Sequence, residues 1–542
     1  MGRGYNPARQ QQPSLSVPTT APSLLHDLVR HTAEHHGALP ALVHDATQLT
    51  YSELASAIER TAAGLRRLGV RPDERVAVYL PKIPEAVIAL FAAPLAGGVM
   101  VPINPVLKAA QVAHILRDCN VRLLVTSAER AEALRTVLRD CRDLQVVVIT
   151  GDKLPDEPLP GVATHGWRTL DEAEPAEPPR RIDSDMAAIF YTSGSTGAPK
   201  GVVLSHRNLV SGAASVNAYL HNGPEDRLLA VLPLSFDYGF TQLTTAFAAG
   251  ALVVLLEYLL PRDLLRAVVR YRITGLAAVP ALWSRLARET WPPEAAASLR
   301  YLTSSGGVMP VPVIQALRQA LPDTQIHLMY GLTEAFRSTA LPPEEIDRRP
   351  GSIGLPIPNA EVMVVREDGS ECEPEEIGEL VHRGSLVALG YWNDPERTAE
   401  RFRPAPRRPL GLPLPEIAVW SGDRAWRDTE GYLYFAGRED ELIKTSGYRV
   451  SPNEIEGPVL ASGRVAEATA FGVPDAELGQ AIVLAVTGAE TAEVVQAVCR
   501  EQLPNYMQPR RVWCLDELPR TPNGKIDRQA LRTRYAEHIE ER

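Results

Sequence analysis

The apolar run Met186 to Phe190 empties directly into Tyr191-Thr192-Ser193-Gly194-Ser195-Thr196-Gly197-Ala198-Pro199-Lys200-Gly201. Such a run reads as a buried strand, and the Gly, Ser and Thr that follow read as a loop. Glycines let backbone N–H groups approach an anion, and the hydroxyls add donors. Lys200 supplies a compact positive charge. The loop suits a phosphate. It is not the G-x-x-x-x-G-K-[ST] nucleotide loop, because Ala198 and Pro199 separate Gly197 from Lys200, and Gly201 follows. A polar surface turn is the plain alternative for a short Gly/Ser loop, and eleven residues in this order are more specific than that.

Around this stretch, strands and helices alternate. Thr50-Tyr51-Ser52-Glu53 fits a capping box, and Leu54, Ile58, Leu65 and Leu68 recur at helical spacing up to Gly69. Val76 to Leu80, Val121 to Val125 and Gln145 to Ile149 are short apolar strands. Beyond the loop, Ser205 to Asn208 can cap a helix running to about Tyr219. Strand-like runs then recur at Arg227 to Leu232, Ala251 to Leu256, Gly275 to Val279 and Arg300 to Thr303. This alternation predicts an α/β chain with parallel sheets flanked by helices. Glu361 to Gly384 predicts a β-rich subdomain, and Pro155 to Arg181 a surface connection.

At 542 residues the chain exceeds one core. The reading is a Gln/Pro/Ser/Thr-rich disordered segment over 1–20, a large domain over 21–437, a hinge at 438–440 and a small mobile α+β domain over 441–542. The net charge of −10 argues against nucleic acid as a general partner. Five scattered cysteines without a C-x-x-C pair read as reduced thiols in a cytoplasmic protein, without structural zinc. The longest uncharged apolar run, Ala86 to Ile103, contains Pro94, Gly97, Gly98 and Pro102 and reads as a buried helix followed by a strand, not a membrane span.

The Tyr191 to Gly201 stretch resembles the phosphate loop of the adenylate-forming superfamily, which includes acyl-CoA synthetases, luciferases and stand-alone adenylation enzymes. Further matches are spread from about residue 50 to 528. The resemblance implies that Thr192, Ser193, Gly194, Ser195, Thr196, Gly197 and Lys200 face the phosphates of ATP. Ser304-Ser305-Gly306-Gly307 resembles a backbone turn beside adenine, with Ser304 and Met329 reaching the acyl group. Tyr330-Gly331-Leu332-Thr333-Glu334 resembles the motif whose Tyr packs on adenine, whose Thr touches phosphate and whose Glu helps hold Mg²⁺. A carboxylate beside phosphates needs a hard cation between them, which agrees.

Trp420-Ser421-Gly422-Asp423 resembles the motif whose Asp accepts from both ribose hydroxyls, a task for an acceptor-only group. Gly437 to Gly447 follows the family's Gly-Arg-x-Asp-x-x-x-Lys-x-x-Gly pattern; this implies Arg438 near ribose and phosphate and Asp440 at the hinge. In Pro522-Asn523-Gly524-Lys525, Asn-Gly makes a tight turn that lifts Lys525. It matches the family's catalytic lysine, which bridges the substrate carboxylate and the α-phosphate.

The departure lies at Pro233-Leu234-Ser235-Phe236-Asp237-Tyr238-Gly239. Many fatty and aryl acid ligases resemble Pro-x-x-His-x-x-Gly here, whereas this chain has Phe236 and then Asp237. Adenylation enzymes for amino acids often carry Phe-Asp at this place, with the Asp on the substrate ammonium. Asp237 has a second use, as cap of a helix Tyr238 to Ala249. A carboxylate lining an acyl pocket is costly without a cation.

The resemblance thus implies an ATP- and Mg²⁺-dependent ligase that activates an amino-bearing carboxylic acid, with a lean to a β-amino acid, as acyl-AMP. No carrier domain follows Lys525, so the thiol is expected from a separate acyl or peptidyl carrier protein, or from CoA. The rivals are an acyl-CoA synthetase for a fatty, aryl or other non-amino acid, and a non-catalytic nucleotide-binding protein on the same fold.

Overall fold

The computed structural model describes residues 21–192, 199–407, 411–438, 441–445, 448–475, 478–489, 491–522 and 524–540. The segment 1–20, Ser193 to Gly197 and Asp440 lie outside them.

Two large sheets and one small one carry the chain. An eight-stranded sheet is parallel through Arg75–Tyr79, Val99–Pro102, Val121–Ser127 and Val146–Thr150. It turns antiparallel at its other end. There Met186–Thr192 and Lys200–Ser205 form a hairpin, with Thr192 opposite Lys200. Lys200 therefore opens a strand instead of closing the loop. A fourteen-stranded sheet is parallel through Arg227–Ala230, Gly275–Ala278, Tyr301–Ser304 and Gln325–Tyr330, then antiparallel through Ile417–Arg427 and Leu433–Arg438. The sheets are thus mixed, with the β-rich extension where the sequence placed it. The third, five-stranded sheet lies in the C-terminal part, with the helices Pro452–Ala461 and Ala492–Gln502. The molecule is α/β, with a large N-terminal domain and a small α+β C-terminal one.

The helix Pro84–Leu95 is apolar on every side from Ala86 on, and those residues are all buried. Phe91 packs on Phe240 and Phe247 of the helix Asp237–Ala249, with ring centroids 5.7 and 5.3 Å apart. Gly239 lets that helix begin where it does: a Cβ there would stand 2.0 Å from the Pro233 carbonyl oxygen.

Two expectations need correction. Asp237 does not cap its helix. Phe236 occupies the N-cap position without a side-chain bond, and Asp237 is the first helical residue. Pro155 to Arg181 is not all connection: Ala163–Gly166 adds a parallel strand to the sheet edge, and Arg168–Asp171 is a helical turn. The added strand pairs the backbone of Val146–Thr150, which would otherwise be an open edge. All five cysteines are free, four of them buried. Among the described residues, no helix is long and apolar enough to cross a membrane.

Candidate active site

The carboxyl ends of Tyr301–Ser304 and Gln325–Tyr330 open where the large sheet changes from parallel to antiparallel. A crevice at such a switch is where open α/β sheets bind ligands.

Glu334 is the centre of a closed triangle. Lys200 Nζ donates to Glu334 Oε1 at 2.9 Å, and the Tyr391 hydroxyl donates to the same oxygen at 2.7 Å. Lys200 also donates to the Tyr391 oxygen at 2.8 Å and lies 4.2 Å from that ring's centre. Burial would raise the Glu334 carboxyl, but Lys200 and the bonds from Tyr391 and Lys200 outweigh it and hold it below the ordinary carboxylate range. A half-buried, ionised carboxylate of this kind fits Mg²⁺, a hard cation that takes oxygen ligands. Thr333 is buried in the same short helical turn. Tyr391 carries no mark in the sequence beyond an aromatic in the turn-rich run Gly390 to Asp394.

Tyr330 joins the second predicted group. Its hydroxyl donates to Asp423 Oδ2, and its ring stacks on His382 with centroids 6.0 Å apart. Burial pushes the His382 ring down to about 3, so it is neutral there. Asp423 stands opposite Arg438 in the pairing of Ile417–Arg427 with Leu433–Arg438; the Arg438 side chain lies outside the description. Gly331, by contrast, packs a few ångströms from the Arg337 backbone.

Lys525 comes from the small domain yet reaches the same crevice. Its Nζ lies 6.0 Å from the centre of the Phe236 ring. Gly306, at φ +85°, makes room: a Cβ on it would stand 3.4 Å from Lys525 Cε. Gly307 follows in the same turn, against Pro280. The lysine loop is tied to the large domain by Asn104, whose Nδ2 donates to the Pro522 carbonyl at 3.1 Å. Ser304 and Met329 are buried at the ends of their strands, Ser304 against Met309 and Met329 under the Tyr219 hydroxyl.

Asp237 has a partner the sequence reading missed. Arg337 Nη1 stands 3.4 Å from Asp237 Oδ2, with the two side chains 4% and 3% exposed. Burial pushes the Asp237 carboxyl up, against the pull of Arg337 and Lys525. Arg337 is aimed by a tight turn at Phe336, whose φ of 51° and ψ of −48° are rare for a non-glycine residue. The Arg337 N–H donates to the Ala335 carbonyl at 2.6 Å across that turn. Such a residue costs about 1–3 kcal/mol and persists only when its surroundings hold it. Here the Phe336 ring is fully buried against Gly212, where a Cβ would come within 2.4 Å of it.

The chain matches the AMP-binding enzyme family over residues 29–392 and the AMP-binding enzyme C-terminal domain over 454–525. It belongs to the adenylate-forming superfamily. The adenylate-forming chain is 35% identical over 521 residues to an L-proline–[L-prolyl-carrier protein] ligase of Streptomyces coelicolor, covering 93% of this chain and 95% of that one. It is 31% identical over 546 residues to a long-chain-fatty-acid–CoA ligase of Salmonella typhimurium, covering 93% of each. Its fold matches the o-succinylbenzoate coenzyme A synthetase of Bacillus subtilis in complex with ATP and magnesium, with a TM-score of 0.77, 26% identity and coverage of 93% and 98%. This adenylate-forming enzyme is an AMP-forming ligase that uses ATP and Mg²⁺.

Proposed function

We propose that the enzyme activates an amino-bearing carboxylic acid as acyl-AMP and passes it to the thiol of a carrier protein. The observation that carries this is Asp237, a buried carboxylate beside Phe236, the ring that Lys525 overlies. The reacting carboxylate lies near Lys525, so the rest of the acid extends toward Asp237. A desolvated carboxylate there discriminates for an ammonium. The likeness to a prolyl-carrier ligase supports both the amine and the carrier.

The chain's own residues divide the work. Lys200 and the Ser193 to Gly197 loop take the β- and γ-phosphates, with Thr192 and Thr333 at their edge. Tyr330, with Gly331 after it, and the turn Gly306-Gly307 face adenine, and Asp423 and Arg438 take the ribose. Glu334 holds Mg²⁺, which neutralises phosphate charge when bound. Lys525 offsets the repulsion between substrate carboxylate and α-phosphate. The small domain then turns about Asp440 to admit the thiol arm.

A second reading, a plain acyl-CoA synthetase, draws on Arg337, which already supplies Asp237 with a cation. ATP–pyrophosphate exchange decides between them. Paired acids with and without the amine (L-proline and cyclopentanecarboxylate, β-aminobutanoate and butanoate) are compared on wild type and Asp237→Asn. The amine reading expects a much lower KM for the amines than for their amine-free partners, and loss of that preference in the variant. Equal preference in both enzymes would favour the plain acyl ligase.

A further inference from the structure

Arg337 and Asp237 form an unusually loose pair for two buried charges. Paired guanidinium and carboxylate groups favour a two-pronged contact of about 2.7–2.9 Å. Arg337 instead reaches Asp237 Oδ2 at 3.4 Å and Thr241 Oγ1 at 3.3 Å. Its Nε has no hydrogen-bond partner among the described residues. The guanidinium lies 4.8 Å from the centre of the Tyr238 ring. Beside it is a void of about 20 Å³, lined by Tyr238, Thr241, Gln242, Thr303 and Met329. That is room for about one water; the lining is more apolar than polar, with Val216, Leu220 and Leu228 on it, and Thr241, Gln242 and Thr303 supply its oxygens.

A buried carboxylate needs a cation in the empty enzyme, and Arg337 is the one paired with it. A bond meant only for stability would be short and doubly made. This one is long, leaves an N–H unmet, and has free space with oxygen acceptors next to it. Yet the chain accepts a strained turn at Phe336 to keep Arg337 there. These are the properties of a counterion that is meant to be displaced.

We propose that Arg337 is the resident counterion of Asp237, and that a substrate ammonium binds by displacing it toward the void. The ammonium brings three donors on a compact charge and replaces the weak contact with a stronger one. Arg337 shifts onto the Thr241 hydroxyl, the Gln242 amide oxygen and the Tyr238 ring. An acid without the amine has nothing to exchange for the pair and gains nothing from Asp237. Selectivity then comes from competition between two cations, not from an open acidic pocket. Arg337 is thus a specificity-determining residue, and the inference rests on the amine reading of the site.

The test uses the whole enzyme at about pH 8, where carboxylates remain ionised. KM for L-proline, β-aminobutanoate and their amine-free partners is measured by exchange on wild type, Arg337→Met and Asp237→Asn. Removing the competing cation in Arg337→Met should lower the KM of the accepted amine by about fivefold or more, with the amine-free KM unchanged. Thermal unfolding without ATP gives a readout apart from activity. Arg337→Met should melt below wild type, and the saturating amine should raise its midpoint by more than it raises the wild-type one. If Arg337→Met fails to fold, Arg337→Lys keeps a cation on a shorter reach and should lower the amine KM by a smaller factor. An amine KM that stays level or rises in the Arg337 variants, while Asp237→Asn loses the amine preference, overturns the displacement but leaves the amine reading standing. Wild type without amine preference removes the amine reading itself, and the displacement with it.

Discussion

The Tyr391 hydroxyl stands between Lys200 and Glu334, accepting from the first at 2.8 Å and donating to the second at 2.7 Å. It aims an ammonium and a carboxylate that come from distant parts of the chain at one point. Lys200 opens a strand of the eight-stranded sheet, and Glu334 follows a strand of the fourteen-stranded one. Tyr391 is therefore a joint between the two sheets at the place where phosphates are expected.

Tyr391→Phe keeps the ring beneath Lys200 but removes both hydroxyl bonds. Hydrogen bonds to charged groups contribute about 1.5–3 kcal/mol, so the KM for ATP–Mg²⁺ should rise by about tenfold or more. Calorimetric nucleotide binding should weaken in parallel, and the folded structure should persist. Unchanged nucleotide affinity would show that Lys200 and Glu334 orient each other without help.

Lys525 lies close to Phe236 and Gly306 in this arrangement of the domains, which suits the first half-reaction. Lys525→Ala should cut acyl-AMP formation by about two decades or more. Thioester formation from supplied acyl-AMP should survive if, as proposed, the thiol enters with the small domain turned. Asp440→Pro should give the opposite pattern, since proline fixes φ at the proposed hinge. Loss of both half-reactions to the same degree in either variant would separate that residue from its assigned step.

Four buried histidines set the acid limit of stability. Burial pushes His26 and His327 down to about 4 and His206 and His382 to about 3. His206 Nδ1 accepts the Leu25 N–H at 3.0 Å, which a protonated ring cannot do. Below about pH 6.5 the unfolded chain takes up protons that the folded chain refuses, so stability rises with pH through this window and is lost as pH falls. Lowering from 6.5 to about 4 or about 3 corresponds to about 3–5 kcal/mol per histidine once the pH is below the folded value. Unfolding midpoints in urea should therefore drop from about pH 6.5 downward, before the ordinary carboxylates titrate. His327→Phe, between Tyr219 and Tyr301, should flatten that slope. A level midpoint down to about pH 5 would contradict this account.

Local pattern alone determined much of this protein. Thr50 and Glu53 do form a capping box, and Ser205 with Asn208 forms another. The apolar strands fall within a residue or two of where their runs place them, because a buried strand must be apolar along its length. Tyr330, Glu334, Asp423 and Lys525 were singled out by the resemblance of their short motifs to the adenylate-forming superfamily, not by their local chemistry alone.

Partnership was decided only in three dimensions. Arg337 lies 100 positions from Asp237, and Tyr391 lies 57 from Glu334 and 191 from Lys200. Nothing in their own neighbourhoods shows that an arginine is buried or that a tyrosine links two charges. The sequence left Asp237 as helix cap or substrate ligand, two uses that both assume a carboxylate still seeking a donor. The tertiary structure brought in a cation from the strained turn at Phe336. A buried charge must be met by whatever the folded chain places beside it, and that is a property of packing, not of spacing along the chain.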